Sequence, residues 1–205
     1  LIVAFTGAGI SKPSGIPTYE EQPALRDSLS RDFFDANPEE FYREYWKMVE
    51  VMERAEPNPA HLALAEYNIP IITQNIDCLH QRAGSRKVAQ IHGYYNEFIC
   101  ENCQGSFPLP QERAVPYLCP VCKTVLKPKV VLYGEQLVDW EEAVSIATAA
   151  KTMLVIGTSL QVYPAAYLPQ MAEGRGAEIV LINERADTLV PAYLEQLARG
   201  NLINK

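Results

Sequence analysis

Long apolar runs are missing from this chain. Nowhere do its 205 residues approach the roughly 20 consecutive apolar positions that a membrane-spanning helix needs. Basic clusters are missing too: 18 Lys and Arg stand against 25 Asp and Glu, a formal charge of −7. Binding nucleic acid takes grouped cations to neutralise phosphates, so a nucleic-acid partner is excluded, whereas Lys-rich peptides suit the acidic balance. Cysteines number only five, too few and too odd for a disulfide framework. The opening apolar stretch, Leu1 to Phe5, is shorter than a signal peptide requires, so a cytoplasmic protein with no membrane partner is expected. Repeats and low-complexity tracts are also lacking, and nothing specifies an oligomeric state.

What is there is ordinary globular composition, 48% hydrophobic and 21% charged, enough for one domain or one large domain with an insertion. Short apolar runs alternate with helical patterns. Strands are expected at 1–5, 69–73, 88–91, 130–132, 153–156 and 178–182. Residues 10–36 read as mostly loop. Asn37-Pro38-Glu39-Glu40 reads as a helix start, with Asn37 capping and Pro38 in the first turn. That helix should run to about Ala55 with Phe41, Tyr45, Met48 and Met52 on one face, and further helices are expected near 60–67, 139–150, 165–173 and 190–198. Residues 94–128 break the pattern, with four Cys and several Pro. The expected fold class is α/β, a Rossmann-like doubly wound parallel sheet with a smaller zinc-binding and helical domain. Its division would be 1–24, 69–93 and 127–205 for the dinucleotide-binding part. A helical insertion (25–68) and a zinc module (94–126) would form the small domain.

Four strands end in small or polar residues: Gly7-Ala8-Gly9, Gln74-Asn75-Ile76-Asp77, His92-Gly93 and Gly157-Thr158-Ser159. In open α/β sheets ligands sit beyond the carboxyl ends of the strands, so these four sets should meet at one crevice. Each alone has a plainer reading. Gly7-Ala8-Gly9 lacks the third glycine of a dinucleotide fingerprint, since Lys12 stands there, and could be only a tight turn. Asn75 and Asp77 could be helix caps, and Gly157-Thr158-Ser159 a simple turn. His92 could be structural, although at a strand end without a second His nearby it suits general-base work at neutral pH.

Cys100-x2-Cys103-x15-Cys119-x2-Cys122 is the most specific chemical signal. Each C-x-x-C turn presents two thiolates on one side, and two turns complete a tetrahedron around one zinc ion. With all four positions filled by protein, the metal should be structural. Cys78 reads as an ordinary buried thiol.

Taken together, the ordered set resembles the sirtuin family over residues 1 to about 185. It comprises Gly7-Ala8-Gly9-Ile10-Ser11 with Gly15-Ile16-Pro17, Thr73-Gln74-Asn75-Ile76-Asp77 with Leu79-His80, Ile91-His92-Gly93, the two C-x-x-C pairs, Tyr133-Gly134-Glu135, and Gly157-Thr158-Ser159 with Val162 and Pro164. The resemblance implies an NAD-dependent deacylase that removes acetyl or other apolar acyl groups from protein lysines. The amide oxygen of the acyl-lysine attacks the ribose carbon as nicotinamide leaves, and the acyl group ends on ADP-ribose. It further implies catalytic roles for His92 and Asn75, and NAD contacts from Gly7, Ala8, Gly9, Ser11, Thr18, Tyr19, Gln74, Ile76, Asp77, Gly157, Thr158, Ser159 and Asn183. Acyl-lysine peptide would be held by Val130, Val131, Tyr133, Gly134, Glu135, Val162 and Tyr45, adding as a strand between 131–135 and 161–163. Succinyl-preferring members carry Tyr-x-x-Arg on the first small-domain helix. Here the stretch is Tyr45-Trp46-Lys47-Met48, and Lys47 points about 100° from Met48, so acetyl or a longer apolar acyl group is expected over succinyl. One departure reverses a charge: Glu20 stands where the family has Arg. ADP-ribosyl transfer or NAD hydrolysis in the same pocket, and a non-enzymatic zinc-ribbon module, are the alternative readings.

Overall fold

A computed structural model describes residues 1–18, 21–22, 28–200 and 203. In chain order, β1 (Ile2–Thr6) leads through a 3₁₀ helix (Ala8–Ser14) to α1 (Arg31–Ala36), α2 (Pro38–Arg54) and α3 (Pro59–Glu66). There follow β2 (Ile71–Thr73), α4 (Leu79–Arg82), β3 (Val88–Gln90), β4 (Gly93–Ile99), β5 (Ser106–Pro108) and β6 (Lys127–Val130). The chain continues through α5 (Trp140–Thr148), β7 (Thr152–Ile156), α6 (Tyr167–Gly174), β8 (Glu178–Ile182) and α7 (Ala186–Arg199).

Among the described residues five strands form a parallel sheet in the order β3-β2-β1-β7-β8. Successive side chains of a strand point to opposite faces, and β1 is apolar from Ile2 to Phe5 because both faces are covered. Val3 and Phe5 pack with Ala143, Ile146, Leu168 and Ala172 of α5 and α6. Ala4 packs with Ala60, Leu64, Val190 and Leu194 of α3 and α7 on the other face. The direction of winding reverses between β1 and β7, which opens a crevice at their carboxyl ends.

A second sheet, β5-β4-β6, is antiparallel and has its own aromatic core with α2. Phe41, Tyr42, Tyr45, Trp46 and Phe98 meet ring to ring, and the polar tips are satisfied: Tyr45 Oη donates to the Tyr95 carbonyl (2.7 Å) and Trp46 Nε1 to that of Ala114 (2.8 Å). Buried Tyr and Trp need such partners for their polar ends.

Several expected boundaries change. The strand expected at 130–132 lies at Lys127–Val130 and pairs with β4, so it closes the antiparallel sheet instead of resuming the parallel one. The small sheet therefore extends beyond 94–126 on both sides. Arg31–Ala36, expected as loop, is a short helix capped by Ser30, whose hydroxyl accepts from Phe33 N. Asn37 ends that helix and precedes α2 without a capping hydrogen bond from its side chain; Pro38, Glu39 and Glu40 in the first turn mark the start. Pro59 opens α3 instead of merely breaking α2. The last helix begins at Ala186 and carries Pro191 inside it.

Candidate functional site

The glycines after β1 and β7 are explained by contact. A side chain on Gly9 would place its Cβ 2.6 Å from Gly157 Cα, and one on Gly7 would sit 2.7 Å from Thr158 Cβ. Gly157 itself has φ +61°, and a Cβ there would meet Ile10 N at 2.3 Å. The two turns thus lie backbone against backbone. Gly7 N donates to the Ile156 carbonyl (3.0 Å) and Gly9 N to that of Gly157 (2.8 Å). What these two glycines supply is closeness, with their own amides already engaged.

From the end of β2, Gln74 Nε2 reaches Thr158 Oγ1 (3.0 Å), while Asn75 Nδ2 donates to the Gly7 carbonyl and to Ser11 Oγ (3.1 Å each). Ser11, fully buried, donates in turn to Asp77 Oδ2 (2.7 Å), and Asp77 Oδ1 accepts from Leu79 N (2.9 Å). Asp77 therefore does cap the start of α4, and it also belongs to the cluster. Burial raises its carboxyl above the usual aspartate range, opposed by the Ser11 and Leu79 hydrogen bonds. Asn183, at the end of β8, accepts from Thr158 N (3.1 Å).

His92 follows β3 and stands half-buried with Nδ1 2.9 Å from the Gln74 carbonyl. A carbonyl can only accept, so Nδ1 carries the proton and Nε2 keeps its lone pair. Desolvation lowers the imidazole below its ordinary pKa, with the Gln74 bond working the other way. The backbone continues the link, because Val131 N donates to the His92 carbonyl (2.9 Å). The four strand ends expected to converge are therefore joined by direct hydrogen bonds.

Beside them lies a cavity of about 370 Å³. Among the described residues, one wall is Ala8, Ser11, Ile16 and Pro17, a second is Asn75, Ile76 and Asp77, and α2 supplies a third through Glu44, Lys47, Met48, Val51 and Met52. That third wall was only partly foreseen. Met48 and Met52 stand on the face expected, but Tyr45 does not reach the cavity: it is fully buried with its ring stacked on Phe41. In this structure Tyr45 belongs to the aromatic core with Phe41, Tyr42 and Val49. Lys47 does reach the cavity, against expectation, with its ammonium paired to Glu44 one turn back (2.6 Å). Met48 and Met52 are buried in the same core as the aromatic rings and also border the cavity, with Val51 beside them at its edge.

The expected peptide-binding stretch is more occupied than the sequence suggested. Val130 is buried in the aromatic core. Tyr133 has both backbone groups taken, N–H by the Leu29 carbonyl and C=O by Arg31 N (3.0 Å each). Glu135 is drawn inward, accepting from Lys127 Nζ (2.9 Å) and Leu132 N (2.9 Å), with Arg31 3.4 Å away. Its carboxylate is thus committed to a buried lysine. Val131, Gly134 and Val162 remain at least partly exposed, as does the Tyr133 ring. Thr18 gives its amide and hydroxyl to Glu21, which also holds Lys12 (2.7 Å). Ser159 is exposed beside Thr158. Tyr19 and Glu20 lie outside the described residues.

Cys100, Cys103, Cys119 and Cys122 bring their sulfurs within 4.8 Å of one another, with 3.3 Å between Cys100 and Cys122 and 3.6 Å between Cys103 and Cys119. Zinc–thiolate bonds near 2.3 Å require S···S edges of about 3.8 Å, so four thiols so placed fit one tetrahedral zinc ion. Cys78 stands apart, half-buried, its thiol pushed up to about 11 by burial.

Comparison with known proteins gives a consistent result. The model of the Sir2 family matches residues 7–164. An NAD-dependent protein deacetylase of Caldivirga maquilingensis is 40% identical over 200 residues, covering 88% of this chain and 77% of that one. An NAD-dependent protein deacylase of Thermus thermophilus is 39% identical over 217 residues, covering 97% and 85%. A solved structure described as Sir2 bound to acetylated peptide superposes with a TM-score of 0.85 at 33% identity, covering 98% of this chain and 94% of that one.

Proposed function

The chain belongs to the Sir2 family and is an NAD-dependent protein deacetylase or deacylase acting on acylated lysine peptides, and from that premise we propose how its residues divide the work. The cofactor fits what is present: two glycine turns in close backbone contact meet at the switch point, and buried polar groups line a cavity beside them. Gly7, Ala8, Gly9, Gly157, Thr158, Ser159 and Asn183 would hold its phosphates and riboses. Gln74, Asn75, Ile76 and Asp77 would hold its nicotinamide end, with Ser11 orienting Asp77 between them. Bound NAD supplies a ribose carbon with a leaving group already attached.

The observation that carries the reading is the fixed tautomer of His92. With Nδ1–H on the Gln74 carbonyl, Nε2 is left as the base, and burial keeps it neutral at physiological pH. His92 would take a ribose hydroxyl proton there. The apolar wall of Ile16, Pro17, Met48, Val51 and Met52 excludes water that would otherwise intercept the reaction. Substrate peptide would enter along the exposed remainder of 131–134 and Val162, which begins on the His92 carbonyl.

Met48 on the cavity wall, with Lys47 turned onto Glu44, favours acetyl and apolar acyl groups over succinyl. A cytoplasmic setting, where thiols stay reduced and available to zinc, matches the four-cysteine cluster. The test is incubation with NAD and an acetyl-lysine peptide. Free lysine peptide, nicotinamide and O-acetyl-ADP-ribose should appear in equal amounts; nicotinamide without deacetylated peptide would show NAD hydrolysis instead.

A further inference from the structure

Two histidines outside the reaction are buried directly beneath the site. His61 of α3 and His80 of α4 have essentially no exposed surface, and their rings lie 4.8 Å apart between centroids. Each has one ring nitrogen in use. His61 Nδ1 accepts from Asn58 N (3.3 Å), and the Asn58 amide donates to the Ile10 carbonyl (2.8 Å) and Ser14 Oγ (2.9 Å) in the 3₁₀ segment. His80 Nε2 is 3.0 Å from Thr6 Oγ1. Thr6 donates its hydroxyl to Thr73 Oγ1 (2.8 Å), which also accepts from Asn75 N (3.0 Å).

The direction of that chain follows from the Thr6 to Thr73 bond. Thr6 has one hydroxyl proton and gives it to Thr73, so its oxygen can only accept from His80. Nε2 therefore carries the imidazole proton, and the last link falls on the backbone of Asn75, in the Gln74–Asp77 wall. We propose that His80 is a positioning residue for that wall: its Nε2–H, passed through the hydroxyls of Thr6 and Thr73, sets where the Asn75 amide stands. His61 backs the ring of His80 from α3 and ties the same layer to the glycine-rich segment. A core built only to be filled would use an apolar residue here, because every buried polar atom needs a partner. Among the described residues His80 Nδ1 and His61 Nε2 have no hydrogen-bond partner, so what holds the pair in place is the one bonded nitrogen of each ring, and for His80 that nitrogen is the link to Thr6. The Thr6 and Thr73 side chains are where β1 and β2 run out, so the relay joins the two strand ends at the point where both chains turn into the site.

The inference deepens the nicotinamide-end assignment above and depends on it only for the functional readout. The variants are His80→Phe, which keeps a ring and removes the donor, and His80→Gln, whose amide nitrogen can reach the Nε2 position. Thr73→Val removes the midpoint of the chain at nearly constant volume. Measurements are the nicotinamide inhibition constant, KM for NAD, kcat, thermal melting, and hydrogen exchange at the Asn75 amide. His80→Phe and Thr73→Val should each raise the nicotinamide inhibition constant and KM for NAD about tenfold. His80→Gln should return both to within about threefold of the parent despite a similar loss of melting temperature. If His80→Phe and His80→Gln behave alike at equal stability, the residue merely fills space and the proposal falls. If His80→Phe does not fold, Thr73→Val decides alone, and constants within twofold of the parent overturn the relay. Asn75→Ala separates the two levels: should it leave NAD binding unchanged, the nicotinamide assignment fails. The relay is then judged by exchange at the Asn75 amide, faster in His80→Phe than in His80→Gln if the proposal holds and equal in both if it does not.

Discussion

The four-cysteine knuckle and the crevice at the strand ends carry the two chemistries of this molecule, and they are assembled in opposite ways. The knuckle takes all its donors from 23 consecutive residues, Cys100 to Cys122, and the donors are of one kind. The crevice takes Thr6, Gln74, His92, Thr158 and Asn183 from five parallel strands or their ends, and its groups are of several kinds: hydroxyl, amide and imidazole. Local assembly makes a site that depends on its ligand to hold shape. Dispersed assembly makes one that the sheet holds whether or not a ligand is present. The difference should show in how each site fails.

Metal removal should have the largest effect. Chelation of zinc leaves four thiols crowded within 4.8 Å with nothing to bind them, so the antiparallel sheet and its aromatic core should loosen. The expected outcome is a fall in melting temperature of more than about 10 °C, followed by near-ultraviolet circular dichroism of Trp46 and the core tyrosines. An unchanged spectrum after complete zinc release would mean that the knuckle, too, is held by its surroundings.

His92→Ala should behave in the opposite manner. Turnover should drop about 10²- to 10⁴-fold while the melting temperature and zinc content stay put, because the half-buried ring makes one hydrogen bond and carries no core. The acid limb of kcat/KM in the parent should fall below pH 6.5, since desolvation favours the neutral ring. A limb above pH 6.5 would assign the base elsewhere.

A smaller effect separates acyl groups. Acetyl and succinyl versions of one peptide should differ by about tenfold or more in kcat/KM in favour of acetyl, and Met48→Arg should narrow the gap by supplying the charge that Lys47 spends on Glu44. Faster desuccinylation by the parent would mean that Lys47 leaves Glu44 to meet the acyl carboxylate.

The smallest effect is on the pH dependence of stability. Burial lowers His61 from 6.5 to about 4, and His80 is lowered as well. The unfolded chain therefore binds these protons more readily than the folded one, so their contribution is whole above about pH 6.5 and is lost as the pH falls toward 4. Urea unfolding at pH 7 and pH 5 measures it, and His61→Gln should flatten the difference. Equal stability at both values would mean that neither ring is kept neutral by the fold.

The same contrast governs what could be read from the sequence. Cys-x2-Cys twice over is legible because its geometry is local. The strand ends were legible as small and polar residues after apolar runs, and their convergence followed from a rule about parallel sheets. The resemblance to a known family then supplied their roles. What escaped were facts about facing. Tyr45 and Met48 are three positions apart on one helix, yet one is sealed among rings and the other lines the cavity. Lys127–Val130 has a strand's composition, but which sheet it joins depends on where β4 lies. Arg31–Ala36 is too short for a helical period to stand out, and its capping Ser30 is one of several polar residues there. Glu135 looked free for a ligand because nothing in its neighbourhood announces that Lys127, buried eight positions earlier, needs a countercharge.

The glycine pair at the switch point has one more consequence. Where Gly9 and Gly157 touch, the separation of the two turns is the thickness of peptide backbone, a dimension common to every protein. A width set in that way cannot be tuned by exchanging side chains, only widened by forcing the strands apart. The crevice floor therefore acts as a fixed gauge. Changes in affinity or selectivity have to be made in the walls, on α2 and the 131–135 segment, where side chains still set the distances.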